Sequence, residues 1–228
     1  MHNFRGYDHH LIIKGLNEIS TREITVIPTN TEKYMSVSID SLRFIDSLQF
    51  MNASLSELVD NLRQKGDGGF RILEEVFGDK TELLTRKGIY PYDYISSWDN
   101  FRETSLPSRK KFYNSLTRSH ISAKDYKYAN FIFHEFQLSS LGEYHDLYLL
   151  TDTLLLACVF EEFRDMSMEN FKLDPAHYFS LPGLAWDAAL KMSGVKLELI
   201  TDINKYIFLE MGMRGKPIYT YFVGTGKE

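Results

Sequence analysis

The spacing of apolar and polar residues predicts a small sheet near the start of the chain and helices over most of the rest. A short amphipathic helix is predicted first, over residues 7–16, and Gly15 is expected to end it. Near residue 53 the spacing of apolar residues changes from the pattern of strands to the pattern of helices. Before it, three runs rich in β-branched and aromatic residues predict strands over 23–29, 33–39 and 42–51. Because only a short turn separates the first two runs, they are expected to form an antiparallel hairpin.

An aromatic, irregular segment at 87–101 interrupts the predicted helices. Ser54 is followed by Glu57 at the spacing of a capping box, which predicts a helix over 54–62. The longest helix is predicted over 141–165, and the tail at 216–228 reads as a strand. The other predicted helices lie at 70–78, 81–86, 108–116, 122–136, 184–194 and 202–211.

In the apolar middle of the longest predicted helix lies a single carboxylate, Asp152, with leucines before and after it. A buried, unpaired carboxylate costs several kcal/mol, so such a group usually has a partner, a metal or a shifted pKa. Tyr148 lies four residues earlier and therefore shares a helix face with Asp152. Such a pair suits metal-assisted phosphodiester hydrolysis, in which the acid binds the ion and the phenol holds the water or phosphate. Chance alone gives about one such spacing in a chain of this composition, so a core helix with a capped carboxylate is the alternative.

A second polar group lies at the start of the chain. Asn3, Tyr7 and Asp8 form an Asn-x-x-x-Tyr-Asp pattern at the turn into the first predicted helix. Asp8 can also serve there by its favourable interaction with the helix dipole. A zinc site is disfavoured, because adjacent histidines on a helix point in different directions. Its candidate ligands are His2, Asp8, His9 and His10.

Composition narrows the classes of function. With 228 residues, 43% of them hydrophobic, the chain can bury the core of one large domain or two small ones. A net charge of −5 argues against a protein that coats DNA, but not against a nuclease, whose site needs acids. The single cysteine, Cys158, excludes an internal disulfide framework and favours a reducing compartment. No run reaches the ~18 apolar residues of a membrane span, and no signal peptide is recognised.

Three stretches together resemble the protein-primed family B DNA polymerases of viruses, organelles and mobile elements. They are HNFRGYDHHLI, YHDLYLLTDTLLLACVFEEFR and LDPAHYFSLPGLAWDAALKMSGVKLELITD, and the resemblance covers about residues 2–216. It implies an α/β fold: a ribonuclease-H-like 3′–5′ exonuclease domain with a mixed sheet flanked by helices, lacking its first strand or strands. The resemblance places this partial domain at residues 1–172. Residues 173–228 would be a helical segment that links it to an absent polymerase palm.

The resemblance assigns roles to the two polar groups. Asn3, Tyr7 and Asp8 match the second exonuclease motif of the family, and Tyr148 and Asp152 match the third. Asp8 and Asp152 would be ligands of Mg²⁺ or Mn²⁺, with their carboxylates about 4–8 Å apart. Tyr148 would act beside them, and Asn3 and Tyr7 would contact DNA.

Two further motifs are matched by the resemblance. KGIY places Lys87 near the scissile phosphate, although a lone exposed lysine is the alternative. SLSEL matches a motif that contacts single-stranded DNA and the priming protein, through Ser54 and Leu55. The capping box is a second and compatible explanation of Ser54.

Departures from the family pattern are as informative. No Asp in the chain has Glu or Asp two residues later, so the first exonuclease motif and the palm's metal-binding pair are absent. Only two of the four carboxylates of a two-metal site remain. Met213 and Lys216 replace residues of the linker to the palm, and Cys158 stands where an acid is expected. The chain alone is therefore expected to show neither polymerase nor exonuclease activity.

The resemblance thus implies a fragment of a DNA-directed DNA polymerase, which is a nucleotidyltransferase of DNA replication. The fragment could come from a degraded mobile-element copy, a split gene or a truncated gene model. Its expected partners are the 3′ end of single-stranded DNA, the terminal priming protein and the missing palm, with no membrane. The alternatives are a catalytically dead module that binds single-stranded DNA or the terminal protein, and a mobile-element remnant without function.

Weak, salt-sensitive binding of single strands is expected from aromatic and basic side chains. They are Phe4, Tyr7, Tyr90, Tyr92, Tyr94 and Trp98, with Arg86, Lys87, Arg109, Lys110 and Lys111.

Overall fold

A computed structural model describes residues 1–6, 8–19, 24–29, 33–66 and 68–213. These residues form an α/β structure, mostly helical, with a small antiparallel sheet flanked by helices. The chain divides into two compact units, 1–188 and 189–228. The boundary expected between residues 172 and 173 divides a predicted exonuclease domain from a predicted linking segment. The two compact units do not test that division, so it stays a prediction.

The sheet is a meander of three strands within the described residues. Strands β1 (Ile24–Pro28), β2 (Tyr34–Ile39) and β3 (Leu42–Ile45) pair antiparallel in the order β1-β2-β3. The predicted hairpin of the first two strands is confirmed. The expected mixed sheet is not what these strands form. They are consecutive and joined by short turns, whereas a parallel pair needs a crossover of about a dozen residues or more.

The third strand is shorter than predicted because Asp46 ends it. Its buried carboxylate accepts from the backbone N–H of Leu48 at 3.1 Å and caps a 3₁₀ turn over Ser47–Gln49. The other carboxylate oxygen accepts from the N–H of Arg5 at 3.2 Å. The start of the chain is thereby fixed to the end of β3, where Ser47 N–H also donates to the carbonyl of Met1 at 2.8 Å.

Helix α1 spans Asp8–Ile19, so the prediction that Gly15 ends it is wrong. A glycine inside a helix costs only about 1 kcal/mol relative to alanine, which the surrounding turns can offset. The helix begins against the sheet, since the fully buried Phe4 stacks on Phe44 with 6.2 Å between ring centroids.

Most of the predicted helices are confirmed. The capping box at Ser54 forms: Glu57 N–H donates to Ser54 Oγ at 3.3 Å, and Ser54 N–H donates to Glu57 Oε2 at 2.9 Å. The long helix continues past its predicted end to Phe171, where Lys172 adopts a left-handed conformation. The helices are α2 (Leu55–Gln64), α3 (Arg71–Phe77), α4 (Thr81–Leu84), α5 (Ala123–Glu135), α6 (Leu141–Phe171), α7 (Leu181–Ser193) and α8 (Ile203–Met213).

The helix predicted over 108–116 is wrong beyond its first turn. A 3₁₀ turn over Arg109–Phe112 is followed by a bridge between Asn114 and Ser119. Asn114 Oδ1 accepts from the N–H groups of Leu116 and Thr117, at 2.9 and 3.2 Å. Such a side-chain turn competes with helix formation. The strand predicted at 216–228 lies outside the described residues, as does Lys216.

Helix α6 packs one face into the core of the first unit, while Leu149 and Leu150 on its other side are 49% and 44% exposed. Val59 of α2, Leu73 of α3, Ile132 of α5 and Leu155 of α6 belong to one buried cluster. Cys158 lies in the same cluster and is 1% exposed, so it serves there as a small apolar residue. Among the described residues, no helix has the length and apolar character required to cross a membrane.

The C-terminal end of α6 is fixed to the following turn by a forked ion pair. Arg164 donates from Nε to Asp174 Oδ1 at 2.9 Å and from Nη2 to Oδ2 at 2.7 Å. Asp174 also accepts from the N–H of Ala176 at 2.9 Å. The Arg164 hydrogen bonds hold the pKa of Asp174 at about 2.

We expect Asp174→Asn to lower the free energy of unfolding by about 1–2 kcal/mol near neutral pH, because it weakens a two-point, charge-assisted interaction. The pKa of Asp174 is lower in the folded chain than the ordinary 3.8. The stabilisation is therefore present above about pH 4 and is lost as the pH falls toward 2. Urea unfolding of both proteins from pH 7 to pH 2 measures the difference, which should shrink over that interval.

Asp165→Asn is the matched control. Asp165 makes a single contact with Arg71 at 2.6 Å, and both side chains are more than half exposed. Its effect should stay below about 0.5 kcal/mol at every pH. Equal losses in the two variants would contradict a special contribution from the forked pair.

Candidate functional site

Lys87 and Asp152, which come from distant stretches of the sequence, lie together in the structure. Lys87 follows α4, and Asp152 lies in the middle of α6, with 3.5 Å between Lys87 Nζ and Asp152 Oδ2. The Asp152 side chain is 18% exposed and that of Lys87 36% exposed. The carboxylate that the sequence places among leucines is therefore partly compensated by a cation at the edge of the core.

The second oxygen of Asp152 has no such compensation. Oδ1 is buried and makes no hydrogen bond of normal geometry among the described residues, although the Tyr148 hydroxyl is near enough for a hydrogen bond with the Asp152 carboxylate to raise the pKa of Tyr148. Leaving a buried acceptor without a donor is costly, and such groups are rare unless another species completes the site. A carboxylate oxygen in this condition fits the role of one ligand to a hard cation such as Mg²⁺ or Mn²⁺.

Other cation ligands are not assembled around Asp152 by the part of the chain that the structure describes. Within it, no group of three or more His, Cys, Asp or Glu side chains has the geometry to hold a metal ion. The carboxylate thus fits a metal as one ligand of an incomplete set. A metal shared by Asp8 and Asp152 remains a prediction.

Tyr148 is contacted at two points by the segment that follows Lys87. A Cβ atom added to Gly88 would lie 2.7 Å from Tyr148 Cδ2, so this backbone approaches the ring as closely as glycine permits. The Tyr90 ring stacks on that of Tyr148 at 4.7 Å between centroids, with 25° between the ring planes. The ring of Tyr148 is therefore fixed in place.

The phenol of Tyr148 is a hydrogen-bond donor or acceptor, not a phenolate. Burial, the hydrogen bond with the hydroxyl of Tyr92 and the nearby charge of Asp152 raise its pKa far above the usual range. It therefore remains protonated at any pH near neutral, and beside Asp152 it can donate to a phosphate oxygen or to a water.

His145 holds the stacking partner of Tyr148. Its Nδ1 lies 2.6 Å from the hydroxyl of Tyr90, and burial raises the pKa of Tyr90 to about 12. Its ring contacts Phe101, with 4.8 Å between centroids. Sequence reasoning did not find His145, although it precedes Tyr148 by three residues and so shares its helix face.

A polar groove of about 400 Å³ lies beside Lys87. Two of its cations are already paired: Arg86 with Asp125, and Arg63 with Asp60, each at 2.8 Å. The groove is formed by one face of α2, by Arg86 and Lys87, and by the start of α5. Its lining residues are Ser56, Asp60, Arg63, Arg86, Lys87, Ser122, Lys124 and Asp125.

The two residues matched at the start of α2 come directly before Ser56, which lines this groove. Ser54 uses its hydroxyl in the capping box, where it accepts from Glu57 N–H. Leu55 is partly buried and packs against the hydrophobic core. The structural role of Ser54 is therefore established, and contact of either residue with DNA stays a prediction.

The start of the chain carries the other matched residues, and its first residue, Met1, lines a pocket together with Thr153 of α6. Asn3 has a left-handed backbone with φ of 59°, and Asp8 is the partly buried first residue of α1, where its charge acts on the terminal amine of Met1. His2 and His9 make structural contacts, to Ser47 Oγ at 3.0 Å and to the carbonyl of Phe4 at 3.1 Å. Tyr7 lies outside the described residues.

Comparison with protein-family models, curated proteins and solved structures finds no match.

We expect Gly88→Ala to lower the free energy of unfolding by about 1–3 kcal/mol, because the new methyl group must displace the stacked ring of Tyr148. Urea unfolding measures the loss, and near-ultraviolet circular dichroism reports the tyrosine packing.

Gly183→Ala is the control: its Cβ would meet Tyr178 Cδ1 at an ordinary 3.8 Å, inside a helix. That variant should be unchanged or more stable, by up to about 1 kcal/mol. An unchanged Gly88→Ala protein would disprove the tight contact.

Proposed function

We propose that Lys87, Tyr148 and Asp152 bind the 3′ end of a single DNA strand. The chain would be part of a protein-primed family B DNA polymerase, from the ribonuclease-H-like proofreading domain of that enzyme. The observation that supports this most directly is the 3.5 Å approach of Lys87 Nζ to Asp152 Oδ2. Two motifs that the resemblance assigns to one exonuclease site, far apart in the sequence, lie within contact of each other.

Each side chain has a distinct part in holding a phosphodiester group. The ammonium of Lys87 attracts a phosphate oxygen and lies at the edge of the core, where DNA can reach it. The neutral phenol of Tyr148 donates a hydrogen bond to the same group, and its ring is fixed by Gly88 and Tyr90. Asp152 would be one ligand of a divalent cation, which would supply Lewis-acid stabilisation of the phosphodiester oxygens.

Binding, rather than strand cleavage, is the activity proposed for this chain alone. A complete two-metal site needs four carboxylates, and the resemblance supplies only Asp8 and Asp152. Loss of metal ligands removes most of a rate enhancement that normally amounts to many kcal/mol. Contact with a terminal priming protein near Ser54 and Leu55 belongs to the same proposal, since both residues begin the helix that flanks the polar groove.

Fluorescence anisotropy of a labelled single strand at low salt tests the proposal. We expect weak binding that fades as salt rises and that Lys87→Ala reduces about three- to tenfold, because one phosphate contact is lost. The measurement compares the unchanged protein with the variant over a series of salt concentrations, with circular dichroism to verify that both are folded.

Lys80→Ala provides the control. Lys80 contacts Glu135 and the ring of Phe136 at one end of α5, whereas the groove beside Lys87 includes Lys124 at the other end. Removing Lys80 should leave the affinity for DNA unchanged. No binding at high micromolar protein, or equal affinities of the Lys87 and Lys80 variants, would overturn the proposed site.

Metal dependence is the second arm of the experiment. Mn²⁺ should strengthen binding of the single strand by the unchanged protein more than by Asp152→Asn, because the variant replaces the anionic ligand. An equal Mn²⁺ response in both proteins would remove Asp152 from metal binding while leaving the role of Lys87 intact.

A further inference from the structure

A continuous series of aromatic rings connects the surface of the first unit to Tyr148. Ring centroids lie 5.7 Å apart between Trp98 and Phe101, and 4.8 Å apart between Phe101 and His145. The next steps are 5.4 Å from His145 to Tyr90 and 4.7 Å from Tyr90 to Tyr148. We call these five residues the aromatic ladder. Its inner end lies at the proposed DNA site, and its outer end is Trp98.

The turn that carries Trp98 is held by a network of hydrogen bonds. The N–H groups of Ser96 and Ser97 both donate to Asn100 Oδ1 at 3.1 Å. Asn100 Nδ2 donates to Glu103 Oε1 at 3.0 Å, and the carbonyl of Glu103 accepts from the first N–H of α6 at 2.7 Å. Trp98 is therefore presented to solvent by an anchored backbone rather than by a loose loop.

Trp98 is the most exposed aromatic residue of its segment among the described residues. Tyr90 is used by Tyr148 and His145 within the ladder. The hydroxyl of Tyr94 donates to Glu103 at 2.8 Å, and Lys111 lies over its ring. Tyr92 is 49% exposed but its hydroxyl is bonded to that of Tyr148, whereas Trp98 is 84% exposed and contacts Phe101 at a tilt. Most of the indole face is therefore accessible to a base, and aromatic faces of this kind stack on unpaired bases in proteins that bind single strands.

The segment that begins at Trp98 carries an excess of positive charge in the sequence, which suits a polyanion. Residues 98–118 contain five cations and two carboxylates. Both carboxylates are already engaged: Asp99 with Arg102 at 3.3 Å, and Glu103 with Tyr94 and Asn100. The cations are Arg102, Arg109, Lys110, Lys111 and Arg118. A partner with negative charge and flat, stacking groups matches both properties of this surface.

We propose that Trp98 stacks on an unpaired base of the DNA strand whose 3′ end occupies the Lys87–Tyr148–Asp152 site. This inference rests on the proposed function, and it names the second point at which the strand is held. The aromatic ladder fixes the separation of the two points, since every ring between them is packed. A strand would thus be held by its phosphates at Lys87 and by a base at Trp98. Sequence-independent binding follows, because every base has a face that can stack.

Intrinsic fluorescence isolates the proposed contact, because the chain has only two tryptophans, Trp98 and Trp186. In a Trp186→Phe protein all tryptophan emission comes from Trp98. Titration with a single strand of about twelve thymidines should quench that emission, as expected when a base stacks on an indole. Anisotropy of the same oligonucleotide, labelled, is measured in parallel to give the affinity.

Substitution of Trp98 provides the affinity test. Trp98→Ala should weaken binding about tenfold, and Trp98→Phe, which keeps a stacking ring, should restore most of the affinity. Trp186→Phe alone should bind as the unchanged protein does. Since Trp98 is largely exposed, its variants should fold normally, which thermal unfolding verifies.

The outcomes separate this inference from the proposed function. If anisotropy reports a complex while Trp98 emission and the affinity of Trp98→Ala stay unchanged, Trp98 is not a base contact, but binding at Lys87 stands. Absence of any complex overturns both. Equal quenching by a duplex, or by inorganic tripolyphosphate, would show that charge alone causes the response, and this too would overturn stacking by an unpaired base.

Discussion

The packing of the Lys87–Tyr90 segment against the middle of α6 is the constraint on which the proposed site depends. Gly88 approaches the ring of Tyr148 so closely that no side chain fits, and this contact places the adjacent Lys87 beside Asp152. The ion pair in turn makes it tolerable for α6 to carry a carboxylate within an apolar helix. The close approach of the Gly88 backbone to Tyr148 therefore determines both the packing of the core and the arrangement of charges at the site.

Local patterns in the sequence were sufficient for much of the fold. Ser54 and Glu57 form the predicted capping box, and the first hairpin forms because a short turn separates two alternating runs. Gly15 and Asn114 show the limit of such reasoning. A helix can continue through a glycine when its other turns offset the cost, and an asparagine side chain can replace helical hydrogen bonds with its own.

The site was predictable only in part, for a related reason. Asp152 and Tyr148 were found by their spacing on one helix, and Lys87 by resemblance. Gly88 and His145 were missed, because their importance comes from contacts between segments that the sequence alone does not align. The exposed state of Trp98 was likewise hidden. The sequence shows a group of aromatic residues in this segment. Only the structure shows that Tyr90 and Tyr94 make hydrogen bonds within the protein, whereas the indole of Trp98 is exposed.

The position of Cys158 has a practical consequence for work on this protein. It is the single thiol of the chain, it is 1% exposed within the core shared by α2, α3, α5 and α6, and burial raises its pKa. Reagents that modify cysteine thiolates therefore react slowly in the native state, because the sulfur of Cys158 is inaccessible and protonated. Each labelling event then records an opening of this core, so the rate of modification reports the free energy of local unfolding around α6 without any substitution in the chain.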